Sequence, residues 1–524
     1  MIMRKIRLII CVLVVIVCFS GCGKVAKSNT WQTTMHGIDG VRGLERSIMH
    51  LGAGDADKFG ISKSLIFVCG DVAIANLDPD VVTKFNELLV SKYGCDFVVE
   101  FISGDIIADK YGYTYYDFVS DIKVLGQQAD ILMAMTPAKY STLIKEGYFI
   151  GLKEYMEETE LGQKMYSSYP EVIWEMLKKD GEIFGYAPFC TATNRYALVC
   201  NKGLAKELDL NVQEGFSFYE IGDILSEVNV QEQLNADVIE IFASKDALFR
   251  MLGYCDMGYG IYGKKDFDGS WKALYPAADE EFMTMCKKLQ EYNKKGWLKI
   301  SDYIGLGIQE IVAEGNFIFW FNNIKDANMV GNKIKLSAYY AVDRIYEVIR
   351  GDIWYGYYPT RESLVYGVTT WSKYQKEALD LIALIQTEEE LSNLLLYGIE
   401  GEHYVYQDGK VIELPNEYHG MGDKFMIINP NITLSEFLEP DDKLGYYKEL
   451  AKNYEYNPAY SMDRTPYLEQ LKVLLTIYEE YETGLLTGTY EDVEAAIAEL
   501  DKRLKEAGIE QIIDAYNKQL QVLQ

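Results

Sequence analysis

The chain has 524 residues, 79 of them acidic and 51 basic, for a formal charge of −28 at pH 7. That balance argues against a nucleic-acid surface and a polybasic membrane patch, both of which need clustered positive charge. The length and the 49 % of apolar residues are enough for two cored domains.

At the start, Arg4, Lys5 and Arg7 precede the apolar run LIICVLVVIVCF, and Ser20 and Gly21 lead into Cys22. A basic start, an apolar run and small residues before a cut describe a secretory signal. The run is shorter than the about 20 apolar residues a membrane span needs. FSGCG resembles the lipobox of bacterial lipoproteins, which implies a signal peptide over 1–21 and a Cys22 that is lipidated and becomes the new N-terminus. One acyl chain holds a protein only marginally and two hold it firmly. A diacylglyceryl cysteine, with palmitate-type chains, would therefore anchor the chain at the extracytoplasmic face of the cell membrane, as the resemblance implies. Cleavage removes three basic residues and no acidic one, so the mature chain is more acidic still. Residues 22–60, rich in Gly, Ser, Thr and Asp with one helix-like patch at VRGLERSIMHL, read as a tether between lipid and globule.

From Ser64 the pattern changes. SLIFVCG reads as a buried strand. LDPDVVTKFNELLVSKYG has helical spacing at Val82, Phe85, Leu88 and Leu89, with Pro79 near its start and Gly94 at its end. CDFVVEFISG is strand again, YTYYDFVSDIKVLGQQ a helix and ADILMAM a third strand. This alternation with short connections predicts parallel pairing in a doubly wound α/β lobe. A helix over PAKYSTLIKEG and a hairpin on KDGE follow, then a strand at RYALVC. Residues 230–320 read as mostly helical, closing on the strand GNFIFWFNN. WYGYYPTRESLVYGVTTWS supplies two strands, and KEALDLIALIQTEEELSNLLLYG one long helix. The tail from PYLEQL to KQLQVL reads as two or three amphipathic helices.

The stretch YGIEGEHYVYQDGK sets Glu400, Glu402 and His403 side by side, as a hydrolase or a metal site would. A glycosidase needs two carboxylates about 5 Å or more apart across its substrate. These two lie in one glycine-flanked turn, and no other element is marked to build a cleft around them. A zinc site would want several His or Cys ligands, and the chain has four histidines without an H-E-x-x-H motif. The stretch reads as a structural turn leading into a hairpin on QDGK. RGD at 350–352 and DFDG at 266–269 read as solvated turns. No catalytic residue, metal or cofactor is expected. Cys11 and Cys18 leave with the signal. Cys69, Cys95, Cys190, Cys200, Cys255 and Cys286 mostly sit in apolar runs and read as buried thiols, with a Cys69–Cys95 bridge open if their strands are neighbours.

Several stretches in fixed order carry a wider resemblance: ADILMAMTPAKYSTLIKEGYFIGLKEYM, DGEIFGYAPF, ALVCNKGLAKELDL, GNFIFWFNN, YGIEGEHYV and LDKRLKEAGIEQIIDAYNKQL. With the lipobox start, they resemble the extracellular solute-binding proteins, family 1, the mostly carbohydrate-binding lipoproteins of ABC importers. One departure is NVQEGFSFYEI, where Phe216 or Phe218 stands in for the family's usual tryptophan.

The resemblance implies an α/β, two-lobed periplasmic-binding-protein-like fold of type II. Each lobe would be a mostly parallel sheet flanked by helices, with extra C-terminal helices. The first lobe is expected over 61–192 plus about 360–430, and the second over 193–359 plus about 431–524. It also implies an oligosaccharide as solute, ABC permease subunits and the membrane as partners, and no nucleic acid. Doubly wound sheets bind ligands at the carboxyl ends of their strands. Contacts are accordingly expected from Asp71, Asp105, Thr136 and Tyr140 in the first lobe, and from Thr193, Asn194, Arg195 and Asn322 in the second. Trp320, Trp354, Tyr357 and Trp371 would add aromatic faces for sugar C–H surfaces. Two other readings stay open on the same fold, a non-transport solute receptor or a peptide-binding protein, and outside it an anchored carbohydrate-active enzyme.

Overall fold

The computed structural model describes residues 50–523, except 71–76, 105–113, 189–193, 227, 229–237, 305–311, 313, 326–327, 337–343, 359–363, 415–426, 437 and 459–461. The signal segment, Cys22 and the patch at VRGLERSIM lie outside the described residues, as do Asp71, Asp105, Cys190 and Thr193.

The first part of the chain runs β1 (His50–Leu51), α1 (Asp55–Phe59), β2 (Lys63–Cys69), α2 (Pro79–Ser91), β3 (Phe97–Ser103), α3 (Tyr115–Leu125), β4 (Ile131–Ala134) and α4 (Pro137–Lys145). Local chemistry sets the helix starts. Asp78 accepts from the Asp80 amide ahead of Pro79, and Thr114 forms a reciprocal cap with Asp117. Next come β5 (Asn194–Asn201), β6 (Ile239–Ala243), α5 (Lys245–Met251), β7 (Tyr262–Lys265), β8 (Trp271–Leu274), α6 (Glu280–Lys294), β9 (Leu298–Ile300), β10 (Phe317–Lys325), β11 (Arg344–Tyr355) and β12 (Tyr357–Tyr358). The remainder gives β13 (Val365–Val368), α7 (Gln375–Thr387), α8 (Glu389–Tyr397), β14 (Tyr404–Gln407), β15 (Lys410–Glu413) and β16 (Glu455–Tyr456). It ends in α9 (Leu468–Leu486), α10 (Val493–Glu506) and α11 (Ile509–Leu523).

Two sheets organise these elements. A five-stranded sheet has the order β1–β3–β2–β4–β13, with β2 parallel to β3 and β4 and the two edge strands antiparallel. A seven-stranded sheet runs β9–β6–β10–β5–β11 and finishes on Lys333–Leu336 and Met329–Val330. In it β6 is parallel to β9 and β10, while β5 runs antiparallel between β10 and β11. Side chains alternate across this sheet as strand geometry requires. Phe319 and Phe321 face one core with Leu198 and Cys200, and Trp320 faces the other with Val199 and Phe242.

The cores show where the chain crosses between lobes. One draws on residues from Leu51 to Ala187 and from Leu364 to Tyr454, the other from Leu198 to Phe321 and from Met462 to Leu520. The chain thus passes between them three times. Its second and third passages lie side by side, where β12 pairs in parallel with β16.

Several expectations need correction. Residues 50–60 are not tether: β1 pairs with β3, and buried Asp55 accepts from Asn86 Nδ2 at 2.8 Å. Those long-range polar partners leave no periodic trace in the sequence. Residues 431–454 pack on the first lobe, through Tyr447, Ala451 and Tyr454, rather than on the second. The stretch 230–320 is not mostly helical, since β6 to β9 lie in it. Ile239 and Ile241 are buried in a strand covered on both faces, whose apolar run resembles a helix segment. The long helix breaks at Glu388, which is extended (φ −105°, ψ 108°) and starts α8. RGD is no turn. It sits in β11 at a register shift, where a Cβ on Gly351 would lie 2.5 Å from the Phe216 carbonyl. The DFDG turn is as expected, closing the β7–β8 hairpin with Phe267 fully exposed. No disulfide joins Cys69 to Cys95, and Cys200, Cys255 and Cys286 are likewise unbridged.

Candidate ligand-binding site

The parallel strands of the first lobe deliver their carboxyl ends to one edge. There β2 ends at Cys69, β3 at Ser103 and β4 at Ala134. Thr136 follows β4 and caps α4, accepting from the Lys139 amide at 3.2 Å. Beside it Tyr116 accepts from the Met135 amide at 2.9 Å, with the Lys139 ammonium 4.3 Å over its ring. Half-buried, Tyr116 presents an aromatic body with a fixed hydroxyl at this edge.

The second lobe makes the matching edge from β6, β9 and β10. Ser244 directly follows β6 and caps α5, accepting from the Ala247 amide at 3.2 Å. The Lys245 amide donates to Asp302, which follows β9, at 2.9 Å. The Lys245 ammonium lies 2.5 Å from Glu482, and the Tyr303 hydroxyl donates to the same carboxylate at 2.9 Å. Burial, with the Glu482 charge beside it, pushes the Tyr303 phenol well above its usual range, so it stays a donor. Within β10, just past its last parallel pair with β6 at Phe321, half-buried Asn322 accepts from the Asn323 amide. Asn194 and Arg195 start β5 opposite Lys325 and Ile324, and Arg195 donates to the Met329 carbonyl.

The crossing strands carry the remaining aromatics. Trp354 is half-buried against Phe321, ring centres 5.2 Å apart. The Tyr357 hydroxyl accepts from Arg250 Nη1 at 2.6 Å and donates to the Gly253 carbonyl at 3.3 Å. The guanidinium lies 4.0 Å over the Tyr357 ring, and burial pushes that phenol up to about 12. Trp271 of β8 meets Tyr357 edge to face at 5.2 Å. Where this hairpin approaches β16, a cavity of 440 Å³ is lined by Lys265, Asp268, Ser270, Trp271, Glu455 and Tyr456. It lies beside the crossing strands rather than at the strand ends.

Of the residues expected from sequence, Thr136, Asn194 and Arg195 stand at strand ends, Asn322 lies inside β10 just past its parallel pairing with β6, and Trp354 lies on the crossing strand β11. Tyr140 does not. It is buried in the first core, donating to the Leu177 carbonyl at 3.1 Å and accepting from the Phe184 amide at 2.9 Å. Trp371 follows β13, antiparallel to β4, and so lies at the amino end of the sheet, where its indole donates to the Gln127 carbonyl. Trp320 is 6 % exposed beneath the second sheet, and Tyr357 serves the crossing strand. The same edges carry Lys245, Asp302, Tyr303 and Tyr116, with Glu482 beside them, none of which was expected from sequence. Reading IEIFAS as a buried strand would have marked Ser244 and Lys245, but nothing in the sequence brings Glu482 to them.

The stretch YGIEGEHYV forms the turn its glycines predict. His403 Nδ1 accepts from the Ile399 amide at 2.9 Å, the Gly401 amide donates to the Tyr404 carbonyl, and Glu400 and Glu402 face solvent. Among the described residues there is no metal-holding group of His, Cys, Asp or Glu, and no helix long and apolar enough to cross a membrane.

A family model described as a domain of unknown function (DUF3502) matches residues 459–523. A curated relative from Streptococcus pneumoniae, a carbohydrate ABC transporter substrate-binding protein, is 25 % identical over 162 residues. That match covers 28 % of this chain, which spans about a third (31 %) of that relative. Among solved structures, the N-glycan transport solute binding protein NgtS of S. pneumoniae superposes with a TM-score of 0.65 at 18 % identity, covering 88 % of this chain and 98 % of that one. NgtS in complex with Man5GlcNAc gives 0.53 at 17 % identity, with the same coverage. The S. pneumoniae ABC-transporter substrate binding protein FusA, in complex with kestose, gives 0.51 at 14 % identity over 88 % of this chain and all of that one. Two α/β lobes, three crossings and these superpositions together establish the fold as that of the two-lobed ABC-transporter solute-binding proteins.

Proposed function

We propose that this protein captures an oligosaccharide between its lobes and delivers it to an ABC importer, held at the outer face of the membrane by lipid on Cys22. The observation that carries the reading is the superposition on NgtS over 88 % of the chain, to which the carbohydrate-transporter relative adds its name. The physical logic is consistent with it. Each lobe ends its parallel strands at an edge bearing capped helix starts, hydroxyls and a few charged groups, and two of the crossings pair with each other. A ligand touching both edges stabilises the closed form by its differential affinity for it. Tyr116 and Trp354 offer half-buried rings for sugar C–H faces, while Thr136, Asn322 and Lys245 offer hydrogen bonds.

The protein binds and does not hydrolyse in this reading. The Glu400–Glu402 pair is solvent-facing in a turn, which gives neither carboxyl the shielded site that splits acid from base. Permease subunits in the membrane are the partners that receive the solute. Small-angle scattering of the mature protein with Man5GlcNAc and with kestose tests the closure. A smaller radius of gyration with one of them supports the proposal, and an unchanged radius under saturating bound sugar refutes it.

A further inference from the structure

Helices α9 to α11 coincide with the matched domain of unknown function and pack on the second lobe through Leu471, Leu474, Leu500 and Ile512. Apolar packing alone would account for their stability. It does not account for Glu482, a carboxylate near the end of α9 that is only 9 % exposed.

That carboxylate reaches two separate loops. One oxygen meets the Lys245 ammonium at 2.5 Å and the other accepts from the Tyr303 hydroxyl at 2.9 Å. Lys245 starts α5 just after β6, and Tyr303 follows β9. These strands are parallel neighbours, with Ala243 opposite Ile300. Both loops therefore leave carboxyl ends of the sheet, the edge where a doubly wound lobe presents its ligand face. The Lys245 amide donates to Asp302, joining the two loops a second time. A buried charge must be paired in good geometry or it destabilises its surroundings. A single carboxylate paired with groups on both loops ties the position of each loop to that of α9.

We propose that Glu482 is a positioning residue for the ligand face, and that the C-terminal helical unit serves to hold the β6–α5 and β9 loops in register for binding. The inference builds on the oligosaccharide reading, but its main test does not need the sugar.

Hydrogen exchange of the ligand-free protein is compared for wild type, Glu482→Gln and Glu482→Ala over peptides spanning 244–251 and 298–304. Glu482→Gln keeps an acceptor for Tyr303 and removes the charge from Lys245. Exchange in both peptides should quicken at least tenfold in Glu482→Ala and to a lesser degree in Glu482→Gln, with the first lobe unchanged. Equal exchange in all three proteins overturns the inference, whatever the protein binds. Titration with Man5GlcNAc and kestose then reads the consequence. For whichever sugar binds wild type, Kd should rise about tenfold in Glu482→Ala and by less in Glu482→Gln. Faster exchange with unchanged Kd overturns the link to binding. If neither sugar binds wild type, the oligosaccharide reading loses support while the exchange result still decides the positioning role.

Discussion

Arg250 is the most informative residue to remove, because it ties the second lobe to the chain just before it crosses. Its Nε donates to the Tyr355 carbonyl at 2.5 Å, its Nη1 donates to the Tyr357 hydroxyl at 2.6 Å, and its guanidinium lies 4.0 Å over the Tyr357 ring. Hydrogen bonds to a charged group contribute about 1.5–3 kcal/mol each, and a partly desolvated cation over an aromatic face about 0.5–2 kcal/mol. These do not add in full, since both fall on one side chain and its two neighbours. Arg250→Ala should therefore destabilise the second lobe by about 2–4 kcal/mol. Tyr357→Phe, which removes only the hydroxyl, should lose about 1 kcal/mol. At about 2–4 °C per kcal/mol for a lobe of this size, the melting transition in Arg250→Ala should fall by about 4–16 °C. Calorimetry on both single variants and the double completes the cycle, with a coupling of at least about 0.5 kcal/mol between the two positions. A loss below 1 kcal/mol in Arg250→Ala, or strict additivity, would refute the claim that this cluster braces the crossing strand.

Three further outcomes follow from the same reasoning. Tyr140→Phe strands the Leu177 carbonyl and the Phe184 amide, so chemical denaturation should show a loss of about 1–3 kcal/mol with ligand affinity unchanged; a selective loss of affinity would return Tyr140 to the site. Glu400→Gln and Glu402→Gln should leave affinity within about threefold, because a turn hydrogen bond contributes only about 0.5–1.5 kcal/mol to stability; a hydrolytic activity abolished by either change would promote the enzyme reading. Cys22→Ala should release the protein from the membrane fraction and end fatty-acid labelling, and a variant that remains labelled and bound contradicts the anchor.

The first lobe was largely legible because its signals are local. The strand SLIFVCG, the Asp78–Pro79 helix start and the strand ADILMAM each declare themselves within a few residues, and their alternation dictates parallel pairing. The second lobe hid its strands where burial on both faces erased the alternation, as in β6, and where a hairpin was spread over Tyr262–Leu274. Aromatic content was a poor guide to the strand ends. Trp320 and Trp371 satisfy the composition argument, yet one lies under the sheet and the other at its amino end. A ring's residue type says nothing about which end of a strand it occupies. Strand-end reasoning did better with position, since Thr136 follows β4 at the carboxyl edge of the first sheet. The polar ties that complete the picture, Asp55–Asn86, Arg250–Tyr357 and Lys245–Glu482, join residues 31, 107 and 237 positions apart. Only the folded chain brings such pairs together.

Isothermal titration of the mature protein against a panel of oligosaccharides, with a peptide library as control, tests the central claim most directly. The account predicts one class of oligosaccharide bound one to one with micromolar or tighter affinity, and no heat from the peptides. Heat from peptides alone, with every oligosaccharide silent, would contradict it.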